Sequence, residues 1–284
     1  MFDPAAQVLR VVHIASLGPR ARQLITSLQR LNRHGSAVPA LLDVERRGEE
    51  WQVLTDWIEG QSLTSYLRQA REGVKPWPSV YETVRLFRGF VHGLTQLHQL
   101  AGQFHGDVSP TNLIVRAQPL GLVLVDYGSA WPAADVMAVR YGEGATQGYA
   151  APERFTSPAA ASDQFAATVV FYEMLTGKLP YDGMGGRAGL AEYADAFAKK
   201  YVSSSKLPVD TRRIPRQTWR AIDELADTAL RLEPGERFAN GQEWRRAADN
   251  AWQAIAEPVH QGPWQRAGAA VANFIERLAQ RNQS

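Results

Sequence analysis

The sequence predicts an α+β fold, in which a few strands and one helix precede a larger and mainly helical part. Two observations support this prediction. Short β-branched, apolar runs occupy the first sixty residues, and longer segments with apolar residues at helical spacing follow. The 284 residues are 45% hydrophobic and 21% charged, which is typical of a globular protein with a core and excludes a largely disordered chain. This length suggests two domains, or two lobes of one.

Strands dominate the first part of the chain. The run QVLRVVHIA is β-branched and apolar, and it ends before Gly18-Pro19, where the proline suits the first turn of a helix. Leu24, Leu28 and Leu31 then recur at helical spacing. The predicted elements are strands at 7–15, 40–44 and 51–57 and helices at 19–33 and 62–71.

The second part is mainly helical and contains one hairpin. Two apolar runs, 112–115 and 122–125, flank a Pro-Leu-Gly turn at 119–121 and are typical of a β-hairpin. Ser162 is the expected N-cap of a helix whose run FAATVVFYEML is apolar nearly all round and therefore buried. The predicted helices span 83–100, 163–175 and 218–232, one begins near Asn240, and one spans 264–280.

Charge and composition exclude several classes of function. Lys and Arg number 31 against 29 Asp and Glu, and this net charge of +2 is too small to indicate nucleic-acid binding. Because the chain has no cysteine, disulfides, thiol nucleophiles and thiolate metal sites are excluded. The N-terminus lacks a signal-peptide pattern, and no apolar stretch reaches the roughly 18 residues needed to span a bilayer. We therefore expect a cytoplasmic protein.

Three oxygen-bearing side chains flank the hairpin. Asp107 and Asn112 lie five residues apart before its first strand, and Asp126 follows its second strand. Because a hairpin returns its ends to the same place, these side chains can converge. Carboxylate and amide oxygens suit Mg²⁺, and a carboxylate left free of the metal could orient a hydroxyl nucleophile. An isolated Asp in a loop is more often a turn residue, so the inference depends on the whole set.

The string HGDVSPTN, residues 105–112, resembles the catalytic loop of the protein kinase family. Gly106 stands in place of the family's usual arginine, and Ser109 stands where serine/threonine kinases usually have a lysine. The resemblance makes Asp107, Ser109 and Asn112 the candidate catalytic residues. It implies that Asp107 orients the substrate hydroxyl, that Asn112 helps to hold metal and ATP, and that His105 is structural.

Further motifs extend the resemblance over residues 8–255. Asp126 begins the string DYG, which is similar to the metal-binding Asp-Phe-Gly motif and ends in Gly128. The string APE ends in Glu153, and Arg237 matches the family's arginine that pairs with this glutamate. Asp163 begins a run similar to the buried central helix of the family. The resemblance implies that Asp126 holds metal and ATP and that the other four residues are structural.

The resemblance is incomplete on the nucleotide side. The string VLTDWIEGQSL resembles the hinge that holds adenine, which implies ATP contacts at Asp56 and Trp57. Arg10 takes the position of the family's ATP-binding lysine, and Leu24 takes that of the glutamate that pairs with it. Arginine can contact phosphate, but its planar fork does not reproduce the point charge of lysine. The first glycine is Gly18, so no Gly-rich hairpin is expected.

The implied fold is bilobal and protein-kinase-like, with a reduced N-terminal lobe that lacks the Gly-rich hairpin and a mainly helical C-terminal lobe. We expect the N-terminal lobe at 1–57, the C-terminal lobe at 58–255, the hinge at 55–61 and a C-terminal extension with a helix at 256–284. A small-molecule phosphotransferase could share the pattern of Asp107 and Asn112, but it would not be expected to carry Ala-Pro-Glu as well.

Two functions remain open at this point. One is an atypical serine/threonine protein kinase that uses ATP and Mg²⁺ on a protein substrate, with low intrinsic activity or activation by a partner. The alternative is a pseudokinase, a nucleotide-responsive or purely scaffolding module that binds a regulatory partner protein. The retained metal-site residues favour the first, whereas the missing lysine, glutamate and hairpin favour the second.

Overall fold

The fold is that of a computed structural model of the chain. It describes residues 2–3, 8–9, 11–15, 25–26, 29, 39–47, 50–126, 131–132, 148–155, 159–189, 214 and 216–260. Of the helix predicted at 19–33, only Ile25, Thr26 and Gln29 are described, and all three are helical. The helix predicted at 264–280 lies outside the described residues.

The N-terminal part of the chain contains two small antiparallel sheets. In the first, β1 (Phe2–Asp3) pairs with β2 (Val8–Leu9). In the second, β5 (Glu50–Thr55) lies between β3 (Val11–Ala15) and β4 (Leu41–Arg47). The single strand predicted at the start of the chain therefore corresponds to both β2 and β3. Within the part of the chain that the structure describes, β3 forms one edge of its sheet.

A short strand and a helix follow the connection after β5. The strand β6 (Gln61–Ser62) leads directly into α1 (Leu63–Arg71). Ser62 is the N-cap, because its hydroxyl accepts a 3.2 Å hydrogen bond from the backbone N–H of Ser65. Leu67 on this helix is buried in the main core, which anchors α1 to the C-terminal part.

The long helix α2 (Val80–Ala101) begins three residues before the predicted start. A capping box explains the difference, because the Ser79 hydroxyl accepts from the N–H of Glu82 while the Glu82 carboxylate accepts from the N–H of Ser79. At the other end, Gly102 takes a left-handed conformation with φ of 61°, which terminates the helix.

The predicted hairpin forms, but its turn lies elsewhere. It consists of β8 (Leu113–Ala117) and β9 (Leu120–Leu124), after a two-residue strand β7 (Gln103–Phe104) that pairs with β10 (Trp131–Pro132). The prediction of a turn at 119–121 is wrong, because Ala117 pairs with Leu120 and leaves only residues 118 and 119 between the strands. The strand β6 pairs with β8 and completes a three-stranded sheet.

The central helix α3 (Ala160–Thr176) is buried on all sides from Ser162 to Leu175. The prediction that Ser162 is its N-cap is wrong, because the helix begins two residues earlier. The Ser162 hydroxyl instead accepts a 3.1 Å hydrogen bond from the backbone N–H of Ala159. Gly177, with φ of 73°, ends the helix.

Two further helices complete the described part of the C-terminal lobe. The first, α4 (Arg216–Ala229), ends three residues before the prediction. The second, α5 (Gly241–His260), begins where it was predicted, and Asn240 caps it by accepting from the N–H groups of Gln242 and Glu243 at 3.0 Å. This helix continues past residue 255, so the expected boundary of the C-terminal extension lies within a helix.

The main core joins α2, α3 and α5. Phe87 on α2 stacks on Phe171 of α3 with ring centroids 4.2 Å apart, and it meets Trp244 of α5 edge-on at 6.2 Å. The helix α2 also contacts β9, so the hairpin rests on this core. No helix in the described ranges is long and apolar enough to cross a membrane.

Candidate active site

The structure brings the hairpin ends together as its pairing requires. Asn112 immediately precedes β8, and Asp126 lies two residues after β9. The first pair of the hairpin joins Leu113 to Leu124, and the backbone N–H of Val125 donates to the carbonyl of Asn112 at 2.9 Å. The side chains of Asn112 and Asp126 therefore start from the same end of the sheet.

Asp107 joins this pair through Asn112. The Asn112 side-chain amide donates 2.9 Å hydrogen bonds to both the backbone carbonyl and the carboxylate Oδ2 of Asp107. Both contacts use the Asn112 amide nitrogen, which leaves its side-chain oxygen as a possible cation ligand. Asn112 is buried, whereas Asp107 is only partly buried.

Asp126 has an unusual backbone conformation. Its φ is 64°, in the left-handed region that non-glycine residues seldom adopt. Such a conformation costs on the order of 1–3 kcal/mol and is concentrated at functional sites. Asp126 is also exposed. It can therefore reach a ligand that enters from solvent.

The residues present fit a magnesium site to which the protein supplies only a few ligands. Asp126 and Asn112 offer one carboxylate and one amide oxygen, which are hard ligands suited to Mg²⁺. Across the described residues no group of three or more His, Asp or Glu side chains could hold a metal ion by itself. The donor set therefore suits a cation that is coordinated mainly by substrate phosphates and water.

The Asp163 carboxylate binds the backbone of the catalytic loop. Its carboxylate is 1% exposed and accepts from the backbone N–H of His105 at 2.7 Å, from the N–H of Gly106 at 2.8 Å and from His98 Nε2 at 2.9 Å. Burial alone would raise the pKa of Asp163. The contacts with His98, His105 and Gly106 outweigh burial and lower its pKa. The carboxylate is therefore ionised and holds the loop backbone.

His105 links the catalytic loop to the strand before Asp126. The His105 Nε2–H donates to the carbonyl of Val125 at 3.2 Å, and Nδ1 accepts from the N–H of Asp107 at 3.3 Å. Burial lowers the pKa of His105, although the carboxylates of Asp163, Asp107 and Asp126 oppose this effect. The neutral ring with a proton on Nε2 satisfies both contacts.

A buried ion pair anchors the segment that follows the site. Arg237 donates two hydrogen bonds to Glu153, Nη1 to Oε1 at 2.6 Å and Nη2 to Oε2 at 2.9 Å. Its remaining N–H groups donate to the carbonyls of Arg231, Ala161 and Leu232. All five N–H groups of the guanidinium are therefore satisfied within the protein. The pairing that the sequence resemblance implied for these two residues is present.

Ser109, which the sequence suggests as a catalytic residue, lies inside the protein. Its side chain is fully buried, and its hydroxyl has no hydrogen-bond partner among the described residues. A short buried hydroxyl cannot reach a phosphate as a lysine at that position would. The role of Ser109 stays a prediction from the sequence.

The expected hinge lies between β5 and β6. The N–H of Asp56 donates to the carbonyl of Ala40 at 2.9 Å, and the side chain of Trp57 is 45% exposed. Within the described residues the backbone groups of Trp57 and Ile58, both inside the expected hinge, make no hydrogen bond and remain available to a ligand. A side chain at Gly60 would come within 2.3 Å of the Val115 carbonyl, so only glycine lets the hinge lie against the hairpin.

The chain before Ala-Pro-Glu contacts the central helix through a polar cluster that the sequence reasoning also missed. The Tyr149 hydroxyl donates to Glu173 of α3 at 2.7 Å, and Arg71 forms an ion pair with the same carboxylate. Burial and the nearby Glu173 raise the pKa of Tyr149, so its hydroxyl keeps its proton. A single glutamate inside the apolar run FAATVVFYEML was the available signal for a buried, paired carboxylate.

Some predicted site residues lie outside the described part of the chain. These are Arg10, at the expected lysine position, and Gly128, in the string DYG. Leu24, at the expected glutamate position, also lies outside. Their roles remain predictions from the sequence.

Comparison with known proteins agrees with the geometry of the site. Residues 8–253 match the protein kinase domain family. The chain is 31% identical over 199 residues to the serine/threonine-protein kinase drp72 of Corynebacterium efficiens. The aligned region covers 69% of this chain and 34% of that protein. It is also 31% identical over 196 residues to serine/threonine-protein kinase PknA of Corynebacterium glutamicum, covering 67% of this chain and 37% of that protein. The chain thus spans about a third of the length of these relatives.

The fold agrees with a solved kinase structure. The granulovirus kinase PK-1 of Cydia pomonella granulovirus matches with a TM-score of 0.60 and 17% identity, over 83% of each chain. At that identity the likeness concerns the fold alone. With its family match over residues 8–253, its bilobal fold and its reduced N-terminal lobe, the chain belongs to the protein kinase family.

Proposed function

We propose that this chain transfers the terminal phosphoryl group of ATP to a serine or threonine hydroxyl of a protein, with low intrinsic activity. The observation that carries the proposal is the convergence of Asp107, Asn112 and Asp126 at one end of the hairpin. Family membership supports a protein substrate, ATP and a divalent cation. We identify the cation with Mg²⁺ because the donors are carboxylate and amide oxygens.

Asp107 orients the attacking hydroxyl and accepts its proton in this proposal. Its carboxylate is accessible, and the hydrogen bond from Asn112 fixes its orientation. His105 and Asp163 hold the surrounding backbone, so the carboxylate does not need to reorganise during the reaction.

ATP and metal contacts are assigned to residues on either side of the hairpin. Asn112 and Asp126 would hold the cation, and the unengaged backbone at Trp57 would receive the adenine. When bound, the cation neutralises charge on the phosphates. Arg10 is the proposed phosphate contact of the N-terminal lobe. The string TQGY at 146–149 resembles the loop that meets the substrate in serine/threonine kinases, so a protein substrate would approach the segment around Tyr149.

The reason to propose low activity lies in the sequence. The described site lacks a basic side chain at Ser109, and Arg10 with Leu24 would replace the usual lysine and glutamate. Losing one preorganised donor to the transition state costs on the order of 10²–10³ in rate. These same observations favour the second candidate, a pseudokinase that binds nucleotide or a regulatory partner without transferring phosphate.

The test uses the full chain with γ-labelled ATP and Mg²⁺, with casein and the chain itself as acceptors. We expect slow labelling of serine or threonine, and a loss of about 10²-fold or more in Asp107→Asn because the proton-accepting charge is removed. The thermal shift caused by Mg-ATP should persist in Asp107→Asn and disappear in Asp126→Ala.

The matched control is Asp227→Asn on the exposed face of α4, which should behave as wild type. Wild-type labelling in Asp107→Asn would contradict the assignment of this carboxylate. A Mg-ATP thermal shift without any transfer by the wild-type chain would support the pseudokinase. A shift that is equal in wild type and Asp126→Ala would remove the metal-site assignment.

A further inference from the structure

The peptide unit that joins Gly106 to Asp107 is held at both of its polar groups. Its carbonyl accepts a 2.6 Å hydrogen bond from Nε of Arg154, and its N–H donates to His105 Nδ1 at 3.3 Å. One residue earlier, the N–H of Gly106 donates to Asp163 at 2.8 Å. The plane of this peptide sets the direction in which the Asp107 side chain leaves the backbone. Of the three partners Arg154, His105 and Asp163, only Arg154 belongs to the segment that follows the Ala-Pro-Glu motif.

Gly106 has no side chain of its own to stabilise the loop. It is buried and has φ of 79°, a conformation that glycine adopts without cost. The family's usual residue at this position is an arginine, so the loop lacks a cation that it would ordinarily carry. Arg154 instead brings a guanidinium to the carbonyl of Gly106 from another part of the chain.

Arg154 is held firmly enough to perform this role. It lies in the helical turn Pro152–Phe155 and is 3% exposed. The neighbouring Glu153 is fixed by the bidentate ion pair with Arg237. The backbone N–H of Arg154 donates to the carbonyl of Ala151 at 3.0 Å. The backbone from which Arg154 reaches the loop therefore has little freedom.

The charges around Arg154 are complementary to it. Burial lowers the pKa of Arg154, while the carboxylates of Asp163 and Asp107 oppose that effect and keep the guanidinium charged. A small cavity between the loop and the turn is lined by Arg154, Gly106, Asp107 and Asp163. The guanidinium thus borders a space that a small cation could enter if the side chain were removed.

We propose that Arg154 is a positioning residue for Asp107, supplying from the segment after Ala-Pro-Glu the cation that the catalytic loop lacks at Gly106. This inference rests on the proposed function, in which Asp107 orients the substrate hydroxyl. It adds a residue that touches neither nucleotide nor substrate and that acts through the backbone carbonyl of Gly106 and through the charge of Asp107. Correct placement matters, because a displacement of about 1 Å in a catalytic group can cost about 10²-fold in rate.

The kinetic test compares wild type, Arg154→Ala and Arg220→Ala in the full chain. Arg220 is the control because it is exposed and, among the residues described, pairs only with Glu224 on the surface of α4. We expect kcat to fall about 10- to 100-fold in Arg154→Ala with KM for ATP unchanged, since the hinge and the metal ligands are untouched. Guanidinium ion at non-denaturing concentration should restore kcat several-fold, whereas sodium at equal ionic strength should not. An unchanged kcat, or a loss confined to KM, would overturn the proposal.

A second variant covers the case in which Arg154→Ala does not fold. Arg154→Lys keeps the charge but lacks the Nε–H that donates to Gly106. We expect a smaller loss of kcat in Arg154→Lys than in Arg154→Ala, again without a change in KM. A wild-type kcat in Arg154→Lys would overturn the role of the hydrogen bond.

A readout without catalysis separates this inference from the proposed function. Amide hydrogen exchange at Asp107, followed by NMR, should accelerate at least 10-fold in Arg154→Ala and remain unchanged in Arg220→Ala. If the wild-type chain transfers no phosphate while this acceleration is observed, the proposed function fails and the positioning contact stands. Unchanged exchange at Asp107 would overturn the positioning role, whether or not transfer occurs.

Discussion

Arg237 shows how much a single side chain contributes to this site. Its side chain is completely buried, and every N–H group of its guanidinium donates a hydrogen bond. The ring of Phe165 lies 4.8 Å from the guanidinium carbon, which adds a cation–π contact. Glu153, the main partner, directly precedes Arg154. The ion pair therefore fixes the segment that leads to the catalytic loop.

Replacing Arg237 with methionine should strongly destabilise the protein. The substitution removes the cation opposite the buried carboxylate of Glu153, and breaking a buried pair in this way typically costs about 3–5 kcal/mol. The free energy of unfolding in urea measures this loss. Arg220→Met is the matched control, because the ion pair of Arg220 with Glu224 is exposed and worth at most about 1 kcal/mol. Equal losses in the two variants would show that burial of the Glu153 pair is unimportant.

At the scale of elements, the loop after α3 determines the course of the chain before Ala-Pro-Glu. The N–H of Gly186 donates to the carbonyl of Gly148 at 3.2 Å. A Cβ atom at Gly186 would lie 1.5 Å from the carbonyl oxygen of Ala150, and one at Gly189 would lie 2.2 Å from the Pro152 ring. This close approach requires glycine at positions 186 and 189, because a Cβ atom at either position would overlap Ala150 or Pro152. The turn at 185–189 therefore supports the segment at which we expect a protein substrate.

Substituting alanine for Gly186 should disturb this segment. The new methyl group would overlap the backbone of Ala150, so we expect a loss of about 1–3 kcal/mol in stability. We also expect a higher KM for the acceptor protein, because residues 148–150 must move. Gly235→Ala is the control, since a Cβ atom there meets nothing within 4 Å and should change stability by less than about 1 kcal/mol. Wild-type stability and KM in Gly186→Ala would show that the two backbones are not in close contact.

The elements also show what a sequence reveals and what it does not. The hairpin was predictable from two apolar runs, and it leads directly to the proximity of Asn112 and Asp126. The turn was misplaced because a Pro-Leu-Gly string resembles a turn whether or not its leucine pairs across the hairpin. The start of α2 was misplaced although Ser79 and Glu82 carry the capping signal in the sequence.

Contacts with backbone groups account for the features of the site that the sequence does not predict. Arg154 contacts the carbonyl of Gly106, and no pattern of side chains encodes the position of a carbonyl. The position of Ser109 follows motif spacing, but its burial depends on packing around the loop. By contrast, the pair of Glu153 and Arg237 was predictable because a family resemblance supplied both partners.

At the scale of the whole molecule, two buried groups make stability depend on pH in the same direction. Burial lowers the pKa of His105 below its ordinary value of 6.5, so the folded chain keeps this ring neutral at pH values at which the unfolded chain protonates it. Asp163 has a pKa below its ordinary value of 3.8 in the folded chain, where it stays ionised. In both cases the unfolded state binds more protons on acidification, and stability therefore falls as the pH falls. The loss of stability caused by His105 begins at about pH 6.5, whereas the loss caused by Asp163 begins only below about pH 4.

We therefore expect the free energy of unfolding to decline between pH 6.5 and pH 5, with a contribution from His105 of up to about 1.4 kcal/mol per pH unit. Urea denaturation of wild type and His105→Gln across this range measures the contribution. The chain contains six histidines, so the relevant quantity is the difference between the two slopes. His105→Gln should be less stable at pH 8, because it loses the contacts to Val125 and Asp107, but its stability should depend less on pH. Parallel slopes in the two proteins would show that folding does not lower the pKa of His105. That result would contradict the neutral ring that links the catalytic loop to the strand before Asp126.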